Sequence, residues 1–222
     1  MIRCEGLVHT YPDGTRALDG VDLEIGAGER VAIVGRNGSG KSTLVRHWNG
    51  LLRPTAGRVL VDGRPTDGRH VAELARIVGI AFQDPDRQIF AATCHAEVGF
   101  GPRNLGLRGL ALDISVRAAL DVVGLAGVDD KNPYDLGRSR RRLLAIASVL
   151  AMRTPVVVLD EPTAGLDTAQ KERLGVVVEG LASEGCIVVL ISHDVAFISA
   201  SVDRIVRLDA GRVVADELNP RS

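Results

Sequence analysis

The sequence predicts an α/β fold in which a helical lobe interrupts a core of alternating strands and helices. Three observations carry that prediction. Val156-Val157-Val158-Leu159 and Ile187-Val188-Val189-Leu190-Ile191 are continuous β-branched runs, as expected of strands covered on both faces. A glycine-rich nonapeptide, Gly35 to Thr43, joins a short apolar run to a helical stretch. From about Asp86 to Thr154 the strand signals give way to helical ones. At 222 residues the chain forms one large domain, residues 1–222, with about 86–154 as an inserted helical subdomain.

Taken in order, Ile2 to Gly63 is strand-like, with alternation in Ala17 to Ile25 and again in Gly57 to Asp62. Pro12-Asp13-Gly14 and Gly26-Ala27-Gly28 are turns by composition. Val31 to Val34 is a buried strand, and Leu44 to Trp48 opens the helix after the nonapeptide. Val78 to Phe82 is a further strand, ending at Gln83-Asp84-Pro85-Asp86. In the helical region, loops are expected at Gly99-Phe100-Gly101-Pro102 and at Asn132-Pro133. Asp113 to Val123 is a helix capped by Asp113 and stopped by Gly124, and Arg140 to Met152 is another. After Pro155 the chain returns to strand–helix alternation, with Asp167 to Leu181 as the helix between the two β-branched strands.

Composition narrows the function. Hydrophobic residues make up 45%, enough for a proper core, and the formal net charge is −1. No overall field draws the chain to nucleic acid or anionic lipid. Only seven residues are Phe, Tyr or Trp, which leaves few platforms for stacking single strands. Cys4, Cys94 and Cys186 are odd in number and widely separated, which fits isolated thiols in a reducing compartment. Cys94-His95 has no second pair at ligand spacing, so an ordinary thiol and a surface imidazole are expected there. No signal peptide opens the chain, and no apolar run reaches the roughly 18 residues that span a bilayer. The longest, Leu143 to Met152, is a helix packed in protein.

Gly35, Gly40, Lys41 and Ser42 fill every fixed position of the G-x-x-x-x-G-K-[ST] phosphate-binding pattern. Glycines let the backbone curl so that successive N–H groups face an anion. The following helix adds its unpaired amides and the positive end of its dipole. Lys41 reaches the β- and γ-phosphates, and Ser42 offers a hydroxyl to Mg²⁺. The contributing stretch is Gly35, Asn37, Gly38, Ser39, Gly40, Lys41, Ser42 and Thr43, and it binds a nucleoside triphosphate.

Val156 to Leu159 runs into Asp160-Glu161, which places two acids at the carboxyl end of a strand, where ligands gather in open α/β sheets. Asp160 is expected to hold Mg²⁺ and Glu161 to polarise the attacking water. Ser192-His193-Asp194 follows the next strand, and His193 is placed to contact the γ-phosphate or that water.

This set, in this order, resembles the ATP-binding subunit of ABC transporters: the phosphate loop, Gln83, Asp160-Glu161, Ala164-Gly165-Leu166-Asp167 and His193. The match spans essentially the whole chain. Phe82 to Ala91 and Phe100 to Leu107 are similar to energy-coupling-factor importers, which take up vitamins or transition-metal ions such as cobalt and nickel. The resemblance implies a P-loop NTPase core of the ABC ATPase type, with an antiparallel β subdomain and an inserted α-helical subdomain. It implies ATP and Mg²⁺ as ligands and Tyr11 as the aromatic that stacks on adenine. Gln83 becomes the glutamine that senses Mg²⁺ and the γ-phosphate, Asp167 the aspartate that communicates across a dimer, and His193 the switch histidine. It further implies two ATPase chains sandwiching two ATP molecules, bound to integral membrane subunits at the cytoplasmic face of the cell membrane, with no nucleic acid.

The sequence departs from that pattern in three places. Leu136-Gly137-Arg138-Ser139-Arg140 stands where the family has Leu-Ser-Gly-Gly-Gln. Two readings of Arg138 to Arg142 remain open: a solvated basic helix start, or contacts to a partner's ATP phosphates. Either way the expected assembly is a heterodimer with a second ATPase whose signature is intact. Cys94-His95-Ala96-Glu97 is less acidic than usual near the surface expected to face the membrane subunit. The chain also stops at Ser222, where many members continue into a C-terminal dimerising extension. The leading expectation is an ATPase subunit of an energy-coupling-factor importer. The alternatives are a weakly catalytic subunit and a soluble ABC ATPase outside transport.

Overall fold

The computed structural model describes residues 1–219; the chain end at Ser222 lies outside them. The chain runs β1 (Ile2–Thr10), β2 (Arg16–Ile25), β3 (Arg30–Val34), α1 (Lys41–Trp48), β4 (Ala56–Val61), β5 (Arg64–Pro65), α2 (Val71–Leu74) and β6 (Val78–Ala81). The helical lobe follows as α3 (Cys94–Asn104), α4 (Gly109–Val122) and α5 (Arg138–Leu150). The core resumes with β7 (Val156–Asp160), α6 (Thr168–Ser183), β8 (Ile187–Ile191), α7 (Val195–Ser201), β9 (Arg204–Asp209) and β10 (Arg212–Leu218).

The strands form two sheets. One is antiparallel in the order β2-β1-β4-β5; the other runs β10-β9-β3-β8-β7-β6, with β9, β3, β8, β7 and β6 mutually parallel. Every residue of β6, β7 and β8 is buried, which is what their unbroken apolar sequence requires. Side chains alternate between faces, so each parallel strand feeds two cores. Val157, Leu159, Val188 and Leu190 pack with the helical lobe. Val156, Val158, Val189 and Ile191 pack on the other face with Trp48, Leu44 and the antiparallel sheet. The inserted lobe thus covers one face of the nucleotide-type core, and the antiparallel sheet covers the other.

Three sequence expectations are corrected here. Gly99-Phe100-Gly101-Pro102 is not a loop but lies inside α3. Its glycines are there for packing. A Cβ at Gly99 would meet Val116 at 3.3 Å, and one at Gly101 would meet Met152 at 2.5 Å. Pro102 also lies inside the helix, where it has no N–H to donate to the carbonyl four residues back. The helix read as starting at Asp113 begins at Gly109, and the Asp113 carboxylate instead pairs with Nε2 of His95 at 3.0 Å. His95 is accordingly a partly covered imidazole hydrogen-bonded to Asp113, and Cys94 is fully buried. Smaller shifts move the start of α5 to Arg138 and end β6 at Ala81. Among the described residues no helix is long and apolar enough to cross a membrane.

Candidate active site

The carboxyl ends of β3, β7 and β8 open into a cleft of about 1250 Å³ beside the start of α1. Tyr11, Asn37, Gly38, Gly40, Lys41, Ser42, Thr43, Gln83, Asp160, Glu161 and His193 all line it. Gly35 and Ser39 do not line this cleft; they shape the loop. Gly35 has φ +150, and a Cβ there would lie 2.1 Å from the Leu208 carbonyl. Gly40 has φ +103, and its Cβ would lie 2.5 Å from the Ala17 carbonyl. No side chain fits either position. Ser39 is buried, and its carbonyl accepts from the Gly211 amide, which ties the loop to the β9–β10 turn.

Lys41 is the first residue of α1 and is 7% exposed. Its Nζ donates to the carbonyls of Gly35 at 2.7 Å and Arg36 at 2.9 Å, so the ammonium is held over the mouth of the loop. Burial lowers its pKa, while Glu161 and Asp160 oppose the shift. The Ser42 hydroxyl donates to Oδ2 of Asp160 at 2.8 Å. Burial raises the Asp160 pKa against the Ser42 hydrogen bond and the charges of Arg46, Lys41 and Arg142. A buried carboxylate under that strain gains from a cation beside it. Ser42, Asp160 and Gln83 offer the hard oxygen donors that suit Mg²⁺. Among the described residues no three His, Cys, Asp or Glu side chains converge into a metal cage. A divalent ion here would therefore share its coordination with the triphosphate.

Glu161 follows directly, at φ +50, a left-handed conformation that is costly for a non-glycine residue. Three contacts hold it. Its amide donates to the Ile191 carbonyl at 2.7 Å, and its own carbonyl accepts from Nη1 of Arg142 at 2.8 Å. Its Oε1 lies 3.4 Å from Nε2 of His193. Burial raises the carboxyl pKa, and His193 pulls it back down. The result is a fixed carboxylate with raised basicity, the property a general base needs.

Arg142 is the residue whose role the sequence did not disclose. It is 6% exposed, and the same Nη1 that reaches Glu161 also donates to the Gln83 carbonyl at 2.8 Å. One guanidinium therefore joins the helical lobe to both the glutamine segment and the acid segment. Gln88 adds a second link, accepting from the Phe82 amide and donating to the Ala145 carbonyl. Of the arginine run, Arg141 pairs with Asp86 at 2.9 Å and donates to the Leu136 carbonyl. Arg138 and Ser139, in the first turn of α5, border the cleft. Arg141 and Arg142 brace the lobe, and Arg138 and Arg142 line the cleft. Asp167 caps α6 in a reciprocal capping box with Gln170 and leaves its own side chain exposed.

Comparison with known proteins bears on this arrangement. A family model described as ABC transporter matches residues 18–164; Tyr11 and His193 fall outside that stretch. The chain is 41% identical over 218 residues to the energy-coupling factor transporter ATP-binding protein EcfA of Methanothermobacter thermautotrophicus, covering 97% of this chain and 70% of that one. It is 39% identical to the EcfA of Methanocaldococcus jannaschii, covering 97% and 78%. Among solved structures, cbiO1 from Clostridium perfringens, described as part of the ABC transporter complex cbiONQ, superimposes with a TM-score of 0.86 at 36% identity over 99% of this chain and 88% of that one. A dimeric ATP-binding cassette in a post-hydrolysis state, bound to ADP and Pi, superimposes with a TM-score of 0.90 at 27% identity over 98% of both chains.

Proposed function

The chain belongs to the ABC transporter family of ATP-binding proteins, and from that premise we propose that it energises an importer of the energy-coupling-factor type for a vitamin or a transition-metal ion. It is an ATP hydrolase of the kind coupled to transport. The observation that carries the reading is Glu161, held beside His193 in the cleft that Lys41 also lines.

In this reading the phosphate-loop amides and Lys41 hold the triphosphate, and Tyr11 stacks on the adenine. Ser42, Asp160 and Gln83 hold Mg²⁺, which when bound neutralises charge on the phosphate oxygens. Glu161 accepts a proton from the attacking water as the water oxygen bonds to the γ-phosphorus and the bond to the bridging oxygen breaks. His193 restrains Glu161 and contacts the γ-phosphate or the water aimed at it. Arg142 transmits the state of Glu161 and Gln83 to the helical lobe.

The lobe then moves a membrane partner docked at the cytoplasmic face. Phe90 and Phe100, 62% and 47% exposed, meet edge to face with centroids 4.8 Å apart just beyond the Gln83 segment. Exposed aromatic area of that kind suits an apolar coupling segment. The signature position favours a heterodimer. Arg138 adds a long side chain where close approach of backbone to phosphate is wanted, and Gly137 supplies no hydroxyl. The competent site would join this chain's phosphate loop, Asp160, Glu161 and His193 to the intact signature of a second ATPase. Purifying the complex from membranes through a tag on this chain tests the reading. Integral subunits, a second ATPase and a bound vitamin or metal ion should accompany it; a tagged chain recovered with nucleic acid or alone would contradict it.

A further inference from the structure

Behind the phosphate loop lies a pair of histidines that hydrolysis does not use. His47 on α1 is fully buried, and His9 on β1 is 7% exposed. Their hydrogen bonds fix the tautomers. A backbone carbonyl only accepts, so Nδ1 of His47 donates to Thr43 O at 2.8 Å. Nε2 of the neutral ring is then an acceptor, and Nδ1 of His9 donates to it at 3.1 Å. The same N–H of His9 faces the Arg53 carbonyl at 3.1 Å. The opposite tautomer of His9 would set a lone pair against that carbonyl. Burial pushes His47 down to about 4, which keeps the ring neutral.

The pair closes a circuit around the base end of the cleft. The His9 ring meets the Tyr11 ring edge to face, with centroids 4.6 Å apart and planes at 85°. The Tyr11 hydroxyl lies 3.0 Å from Oγ1 of Thr43. Tyr11, Thr43, His47 and His9 thus contact one another in a ring, and Thr43 belongs to the helix that carries Lys41 and Ser42. Tyr11 itself sits in a short turn held by its amide to the Thr15 carbonyl and the Gly14 amide to its own carbonyl. Without the circuit its side chain would be ordered only when a nucleotide arrives, and that ordering would be subtracted from the affinity.

We propose that His9 and His47 are positioning residues for the base of a purine nucleoside triphosphate. They hold the Tyr11 ring at a fixed place over the phosphate helix and touch no part of the nucleotide. The inference rests on the reading that Tyr11 contacts the base. It separates two ligands: ATP, which has a base, and inorganic tripolyphosphate, which has only the phosphates.

The test is the affinity of the full chain for each ligand in wild type, Tyr11→Ala, His9→Ala and the double variant. Tyr11→Ala and His9→Ala should each weaken ATP by roughly tenfold, the scale of one base–aromatic stack, and leave tripolyphosphate unchanged within about twofold. The double variant should be no weaker than Tyr11→Ala, because His9 acts through the tyrosine. His47→Asn keeps a donor for the Thr43 carbonyl and removes the acceptor for His9, so it should repeat the His9→Ala pattern should that variant not fold. Unchanged ATP affinity in His9→Ala, an equal loss for both ligands, or full additivity with Tyr11→Ala would each overturn the positioning role. An effect of Tyr11→Ala on neither ligand would remove the base contact itself, and with it the inference, while leaving the hydrolytic site untouched.

Discussion

Nε2 of His193 lies 3.4 Å from Oε1 of Glu161, and the two come from the ends of adjacent parallel strands. The contact sets both the place and the basicity of the carboxylate. Glu161→Gln removes the proposed proton acceptor but preserves shape. Hydrolysis should fall at least about 100-fold, the ordinary worth of a general base, with ATP affinity retained. Single-turnover and binding assays on the variant check this.

The same contact predicts a pH effect. Burial raises the Glu161 pKa, and His193 lowers it. Removing the imidazole by His193→Ala leaves the raising cause less opposed. The acid limb of the kcat profile, where the carboxylate must lose its proton to act, should therefore move to higher pH in the variant. A limb that stays in place or moves down would contradict the coupling.

Arg142→Met leaves the carbonyls of Gln83 and Glu161 without their shared donor in a buried setting. The expected loss of stability is about 2–4 kcal/mol, as for other broken buried networks. Glu161 also loses one of the contacts that hold its φ at +50, so kcat should drop in the fraction that folds. Denaturant melts and steady-state kinetics read the two effects separately.

The contrast between these residues shows what a sequence discloses. The phosphate loop and the Asp160-Glu161 pair were legible because their chemistry is written in consecutive residues between a strand and a helix. Their meeting in one cleft was legible too, since carboxyl ends of parallel strands gather on one edge. Arg142 was not. Within Arg138-Ser139-Arg140-Arg141-Arg142 nothing local separates the guanidinium that turns inward from the one that pairs with Asp86; helix phase and the position of β7 decide it. Gly99 to Pro102 misled for a related reason. Glycine and proline punctuate loops by their backbone preferences, but here the missing side chains admit Val116 and Met152. The His9–His47 pair joins residues 38 apart, which no periodicity marks.

His47 makes the fold acid-sensitive. Its pKa falls from 6.5 to about 4 on folding, so the unfolded chain takes up the proton first as pH drops. Stability from the neutral ring is complete above pH 6.5 and is lost as pH falls toward about 4. At ~1.4 kcal/mol per unit the loss is on the order of 3 kcal/mol. Denaturation midpoints between pH 7 and 4 should fall less steeply in His47→Asn than in the wild type; equal slopes would exclude the histidine as the cause.

In the proposed heterodimer, a second ATPase closes over the hydrolytic residues of this chain. ATP hydrolysis by the purified chain alone, compared with the chain assembled with its partner ATPase, tests it most directly. Turnover should be slow for the chain alone and fast in the assembly, and the fast rate should be lost when Glu161→Gln is introduced into this chain. Fast hydrolysis by the chain alone, abolished by the same substitution, would contradict it.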